Sequence, residues 1–159
     1  MTYFFTLDGK VRGKGRPRFR RRGNYVQTYT DEATRDYEAA IRKAFAQQNL
    51  PQAPLDGALD VRIMACYGKT KGMSKAFWER CENGEEHPTK KPDADNIAKA
   101  VLDALNGIAF KDDNQVVALS VFKKYYYEDK LVVSIIELQK RRWWMRFKLR
   151  LRSTINKEL

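Results

Sequence analysis

The sequence contains one histidine, His87, and two cysteines, Cys66 and Cys81. A lone histidine in a polar stretch cannot build a His-based zinc site and leaves no good candidate for a Ser-His-Asp triad. The cysteines lack the short paired spacing of a metal knuckle and read as reduced thiols rather than a disulfide. Long apolar runs are missing too. Each is broken by charge well short of the roughly 20 residues that span a bilayer, so no membrane span is expected. The first ten residues, MTYFFTLDGK, have neither the basic start nor the apolar centre of a signal peptide, and the expectation is a cytoplasmic protein.

What is present suits one soluble domain. At 159 residues, 43% hydrophobic and 32% charged, the chain can bury a real core but not two comfortable ones. Its formal net charge is +11, unevenly placed. Residues 10–22, KVRGKGRPRFRRR, hold eight Lys or Arg and no acid. Residues 139–159 hold eight basic residues and one acid. The remainder carries 15 basic and 19 acidic residues, a net charge of −4. Two basic patches on a mildly acidic body point to a polyanionic partner, nucleic acid ahead of a membrane surface.

The pattern of elements is strand, helix, strand, loop, helix, strand, strand. Tyr3 to Leu7 is the first strand. Gly13, Gly15 and Pro17 argue against regular structure in the basic segment. Thr30 reads as the cap of a helix from about Asp31 to Gln48, whose apolar face is Tyr37, Ile41, Ala44 and Phe45. Leu59, Val61, Ile63 and Ala65 alternate with Asp60, Arg62 and Met64 as a second strand. Residues 68–92 read as a mobile loop or lid, with a turn of helix at Ser74 to Arg80. Asn96 to Asn106 is a helix with the stripe Ile97, Val101, Leu105 and Ile108, stopped by Asn106-Gly107. Val116 to Tyr125 and Leu131 to Leu138 are strands joined by a tight turn near Glu128-Asp129-Lys130. This predicts a single α/β domain over residues 1–138, a mixed β-sheet of about four strands with two main helices packed on it. Residues 139–159 form a separate basic, aromatic extension. There Met145, Phe147, Leu149 and Leu151 alternate with basic residues in a strand-like way, which suits DNA binding, dimer bracing or membrane attraction.

Concentrated acid in so basic a chain calls for a reason. In KPDADNIAKAVLDALNGIAFKDDNQ, residues 91–115, Asp93 and Asp95 lie two apart in an extended segment, so both carboxylates can face one way. Asp95 reads as the helix cap, and Lys99 falls four residues on, on the same side. If Ile108 to Lys111 runs back along the helix, the pair Asp112-Asp113 brings a third carboxylate beside that lysine. Hard oxygen ligands without His or Cys select Mg²⁺, with Mn²⁺ able to substitute. The basic patches would then hold a phosphate backbone, and the acids the metal that helps break it. Spacing alone leaves other readings open: a cap at Asp95, a plain turn at Asp112-Asp113, an ion pair between Lys99 and Asp103, or a metal-dependent D-x-D transferase.

The run K-P-D-A-D-N-x-x-K-A-V-x-D-A-L-N-G followed by F-K-D-D-N-Q-V-V resembles the signature of the RusA family of Holliday-junction resolvases. Lys14 to Phe19, K-G-R-P-R-F, is similar to the N-terminal motif of its phage and prophage branch. The resemblance spans roughly residues 3–138. It implies a Mg²⁺-dependent endodeoxyribonuclease of DNA recombination and repair, a homodimer that nicks two strands of a four-way junction symmetrically and needs no small-molecule cofactor. It also implies metal-binding acids at Asp93, Asp95 and Asp113 and an essential lysine at Lys99. Lys14, Arg16, Arg18, Phe19 and Arg20 are the candidate DNA-binding residues, with the arginines straddling phosphates and Phe19 stacking or wedging at a branch point. Tyr125, Tyr126 and Tyr127 at a strand end read as sheet surface or dimer contact rather than base-stackers. The rival from another class is a protein that recognises branched DNA without cutting it.

Overall fold

The computed structural model describes residues 1–16, 18–23, 25–48 and 54–138. The tail expected at 139–159 lies outside the described residues. The main sheet has four strands: β1 (Thr2–Asp8), β4 (Leu59–Gly68), β5 (Val116–Tyr126) and β6 (Lys130–Glu137), in the order β1-β6-β4-β5. β4 pairs parallel with β5, while β6 runs antiparallel to both β4 and β1, so the sheet is mixed as expected. Alternation decides which face is buried. Tyr3 and Phe5 of β1, Val61, Ile63 and Ala65 of β4, and Leu131, Val133 and Ile135 of β6 all point into one core.

Two helices, with Val11, Leu55, Ala109 and Phe110 from the connections, pack onto that core. α1 (Glu32–Gln48) buries Ile41, Ala44 and Phe45, and α3 (Ala94–Leu105) buries Ile97, Ala98, Val101, Ala104 and Leu105. Full burial of side chains such as Phe5, Phe45, Phe110 and Ile97 stabilises the fold by roughly 1.5–3 kcal/mol each. The cap of α1 is Asp31 rather than Thr30. The Asp31 Oδ1 accepts from the Thr34 amide at 3.0 Å, an orphan donor that a residue one position earlier cannot satisfy as well.

Two connections differ from the sequence-based expectation. The basic segment does contain regular structure: β2 (Arg18–Arg22) pairs antiparallel with β3 (Tyr25–Tyr29), and Gly23, at φ 62°, lies between them. Cross-strand pairing outweighs the disruption from Gly13, Gly15 and Pro17, because those residues all precede the strand. The second difference concerns β5 and β6, which are close in sequence yet are not neighbours, since β4 lies between them. The connection Tyr127–Asp129 steps over the end of β4, where the Gly68 amide donates to Asp129 Oδ1 at 2.8 Å. A Cβ at position 68 would lie 3.0 Å from the Asp129 amide nitrogen, so the crossing favours glycine.

The polar stretch 68–92 carries a full short helix, α2 (Lys75–Glu82). Ser74 caps it by accepting from the Phe77 amide, and Trp78 and Cys81 anchor it. Cys66 and Cys81 are both buried free thiols. Among the described residues no helix is long and apolar enough to cross a membrane.

Candidate active site

α3 begins two residues earlier than the sequence suggests. Asp93 holds the cap position, with its carbonyl accepting from the Ile97 amide at 3.1 Å, and Asp95 lies in the first turn instead of capping it. Neither carboxylate is spent on capping or pairing. Both are exposed, and neither bonds or ion-pairs with another described residue. Negative charge at a helix N-terminus is favourable by itself, which lets two acids remain there unpaired. Lys99, one turn on, is likewise exposed and unpaired among the described residues. Its anticipated partner Asp103 is taken by Lys14 at 2.9 Å.

The adjacent pair Asp112-Asp113 divides its labour. Asp112 Oδ1 accepts from the Asn114 amide at 2.9 Å, and Gln115 Oε1 accepts from the Asp112 amide at 2.9 Å, a reciprocal capping box. Gln115 Nε2 then donates to the carbonyls of Leu55 and Gly57 at 3.0 and 2.9 Å. The turn is thereby fastened to the chain before β4, and Asp113 is left exposed with no described partner.

The segment after α3 does not run back along it. Gly107 N donates to the Phe110 carbonyl at 2.8 Å, Lys111 N donates to Leu55 O at 3.3 Å, and Phe110 is fully buried. The chain therefore turns at the C-terminal end of α3. Three residues from Phe110 to Asp113 reach at most about 10 Å, whereas the 12-residue helix is about 18 Å long. Among the described residues, no three His, Cys, Asp or Glu side chains group closely enough to hold a metal ion. The expected convergence of three carboxylates does not form within one chain. The donor chemistry suits a hard divalent cation, and the pair Asp93 and Asp95 matches the one or two carboxylates through which Mg²⁺ is commonly held beside a phosphate. Asp113 stands apart from that pair.

The basic loop, distant in sequence, packs directly against this helix end. A Cβ on Gly13 would lie 2.8 Å from Asn96 Cβ and 2.9 Å from Pro92 Cβ, so only glycine allows the approach. Lys14 N donates to the Asn96 carbonyl at 2.8 Å, and Gly15 N to Thr34 Oγ1 at 3.3 Å. The Lys14 ammonium turns inward to Glu38 of α1 and Asp103 of α3. Burial pulls its pKa down, but the hydrogen bonds it donates to those two carboxylates, with their negative charge, outweigh it and hold the ammonium above its ordinary value. Loop and helix enclose a cleft of about 700 Å³ lined by Arg12, Arg16, Asp31, Lys91, Asp93 and Asn96. Arg12 and Lys91 thus join the site without belonging to the candidate set from the motif. A signal for Arg12 was available, since every second residue from Lys10 to Arg22 is basic. Beyond the cleft the segment becomes β2, where Phe19 is 71% exposed.

Residues 8–136 match the family model of the endodeoxyribonuclease RusA. The chain belongs to the RusA endodeoxyribonuclease family. A curated relative, the uncharacterized protein YqaN of Bacillus subtilis (strain 168), is 38% identical over 136 residues, which cover 84% of this chain and 95% of that protein. Membership in the RusA family supports a nuclease of the Holliday-junction-resolving kind over the transferase alternative. The matched region contains the basic loop, both acidic elements and the strands β4 and β5, with all but the last residue of β6.

Proposed function

We propose that this RusA-family protein is a Mg²⁺-dependent, structure-selective endonuclease that acts as a homodimer and nicks four-way DNA junctions at paired symmetric positions. The observation that carries the reading is the cleft, whose lining holds Asp93 together with Arg12 and Arg16. A site for binding DNA alone gains nothing from an unpaired carboxylate beside the cations that hold phosphate, because like charges repel. A site for cutting DNA needs both. In this reading Asp93 and Asp95 hold the cation, and Arg12, Arg16 and Lys91 position the strand by its phosphates. A bound Mg²⁺ supplies charge neutralisation at the scissile phosphate and activates water for attack. Lys99, one turn along α3, donates to the charge that develops on the phosphate oxygens. Lys14 serves as the brace that fixes the loop on α3, and Arg18, Arg20 and Phe19 extend the contact outward along the hairpin. Asp113 is assigned as the third acid on the family resemblance, and a shared role with Asp93 requires a rearrangement or a second protomer.

The separation of Asp113 from Asp93 and Asp95 favours, as second reading, a protein that binds junctions without cutting them. Incubation of an end-labelled four-way junction with the full chain, with and without Mg²⁺, separates the two. Mg²⁺-dependent paired nicks support the nuclease, whereas tight binding with no product in Mg²⁺ or Mn²⁺ supports the second reading.

A further inference from the structure

The ends of β4 and β5 carry a surface that the cleft does not use. All six cation–π contacts among the described residues lie there or on the adjoining α2. Lys69 sits 5.2 Å from the Trp78 ring, Lys90 lies 5.2 Å from Tyr67 and 5.8 Å from Tyr125, and Lys123 is 5.7 Å from Tyr67. Lys124 is 5.9 Å from Tyr126. None of these four lysines ion-pairs with a carboxylate among the described residues. Of the nearby acids, Glu82 accepts from the Tyr127 hydroxyl at 2.8 Å, and Glu86 pairs with Arg80 at 3.1 Å. A surface built only for solubility would intersperse both signs, because unpaired like charges repel one another. Four ammonium groups held over rings, with no carboxylate partner among the described residues, suit a polyanion that also offers flat faces.

Tyr126 and Tyr127 provide those faces. They are 41% and 66% exposed, with ring centroids 5.4 Å apart and ring planes at 69° to each other. Tyr127 is fixed in place by the Glu82 bond and by packing 5.7 Å from Trp78, so its ring is ordered before any partner arrives. The surface is also continuous with the cleft. Lys123 Nζ donates to the Lys90 carbonyl, and Lys91 and Asp93 follow directly in the cleft wall.

We propose that this end of the sheet is a second DNA contact that takes unpaired nucleotides at the branch point, stacking bases on Tyr126 and Tyr127 while Lys69, Lys90 and Lys124 hold the flanking phosphates. Bases splayed at a junction have exposed π-faces, and stacking on aromatic side chains captures them whatever their sequence. The inference rests on the nuclease reading for its substrate but not on cleavage.

The test is binding in EDTA, with two probes: a short oligo-dT and a four-way junction carrying 2-aminopurine at its branch point. Tyr126→Ala/Tyr127→Ala should bind oligo-dT about 5- to 100-fold more weakly than wild type and lose the change in 2-aminopurine fluorescence. Tyr126→Phe/Tyr127→Phe should keep both, since phenylalanine stacks without the hydroxyl. Photo-crosslinking of bromouracil-substituted oligonucleotide to the wild-type chain gives a readout independent of any variant's folding, and adducts at Tyr126 or Tyr127 support the proposal. Unchanged oligo-dT affinity in the alanine pair, or adducts confined to the hairpin, overturns it while junction binding persists. A wild-type chain that binds neither probe overturns the nuclease reading along with it.

Discussion

Lys14 and Asp103 meet at 2.9 Å, and this ion pair, with Glu38 on the other side of the ammonium, ties the basic loop to the acidic helix. The consequence is a division of work within one basic segment. Lys14 holds the loop in place, while Arg12 and Arg16 remain in the cleft. Lys14→Ala should therefore cost stability, on the order of 1–3 kcal/mol, because it strands two partly buried carboxylates. The Lys14 pKa is raised in the folded state. Its contribution is thus complete below the unfolded value of 10.5 and is lost as pH rises through the folded one. Thermal denaturation of wild type and variant below and above that range checks the sign. An unchanged melt, together with a salt dependence of DNA binding flattened by about one unit, would make Lys14 a phosphate contact instead.

Gly13→Ala should disturb the same junction of loop and helix. The new methyl meets the Cβ atoms of Asn96 and Pro92 at 2.8 and 2.9 Å, and neither is the free end of a flexible side chain. Overpacking of this kind costs typically about 1–3 kcal/mol. The measurement is the melting temperature together with the junction cleavage rate, both of which should fall. A variant with wild-type values for both would mean that the loop is not held against α3.

Much of this arrangement is legible in the sequence. The stripe Ile97, Val101 and Leu105 marks α3, and the alternation from Leu59 to Ala65 marks β4, because a core-facing period is a local property. The pairing of β4 between β5 and β6 is not local, and nothing in the short Glu128-Asp129-Lys130 link distinguishes a step over a strand from a hairpin. The β2 strand was hidden by the glycines and proline just before it. The inward turn of Lys14 was hidden because its partners, Glu38 and Asp103, come from two different helices. The RusA motif marks Asp93, Asp95, Lys99 and Asp113 by order and spacing, but spacing along a chain cannot tell which end of a helix a later turn will reach.

Asp112 and Asp113 should respond differently to substitution. Asp112→Ala removes a cap and should cost about 0.5–2 kcal/mol in stability with cleavage reduced only in proportion to folded protein. Asp113→Asn should leave stability unchanged, since its carboxylate bonds to no described residue, and should abolish cleavage. Urea titration and junction cleavage on both variants distinguish the roles. Loss of cleavage in a fully folded Asp112→Asn would give that residue a direct part in the site.

Arg16, Arg18 and Arg20 should act as phosphate contacts. Alternate residues of an extended strand lie about 6–7 Å apart on one face, close to the spacing of phosphates along a strand. Replacing all three by alanine should weaken junction binding and flatten its log–log salt dependence by roughly 2 to 3 units. Affinity measured across a salt series provides the check. An unchanged slope would move the DNA to another surface.

The most direct test compares wild type with Asp95→Asn on an end-labelled four-way junction in Mg²⁺, with binding measured on the same samples. Wild type should release paired, symmetric nicks. Asp95→Asn should bind as tightly or more tightly, since it removes a charge that repels the backbone, and should release none. Cleavage by Asp95→Asn at the wild-type rate, or binding by wild type without any product, would contradict the assignment of this helix end as the site of phosphodiester hydrolysis.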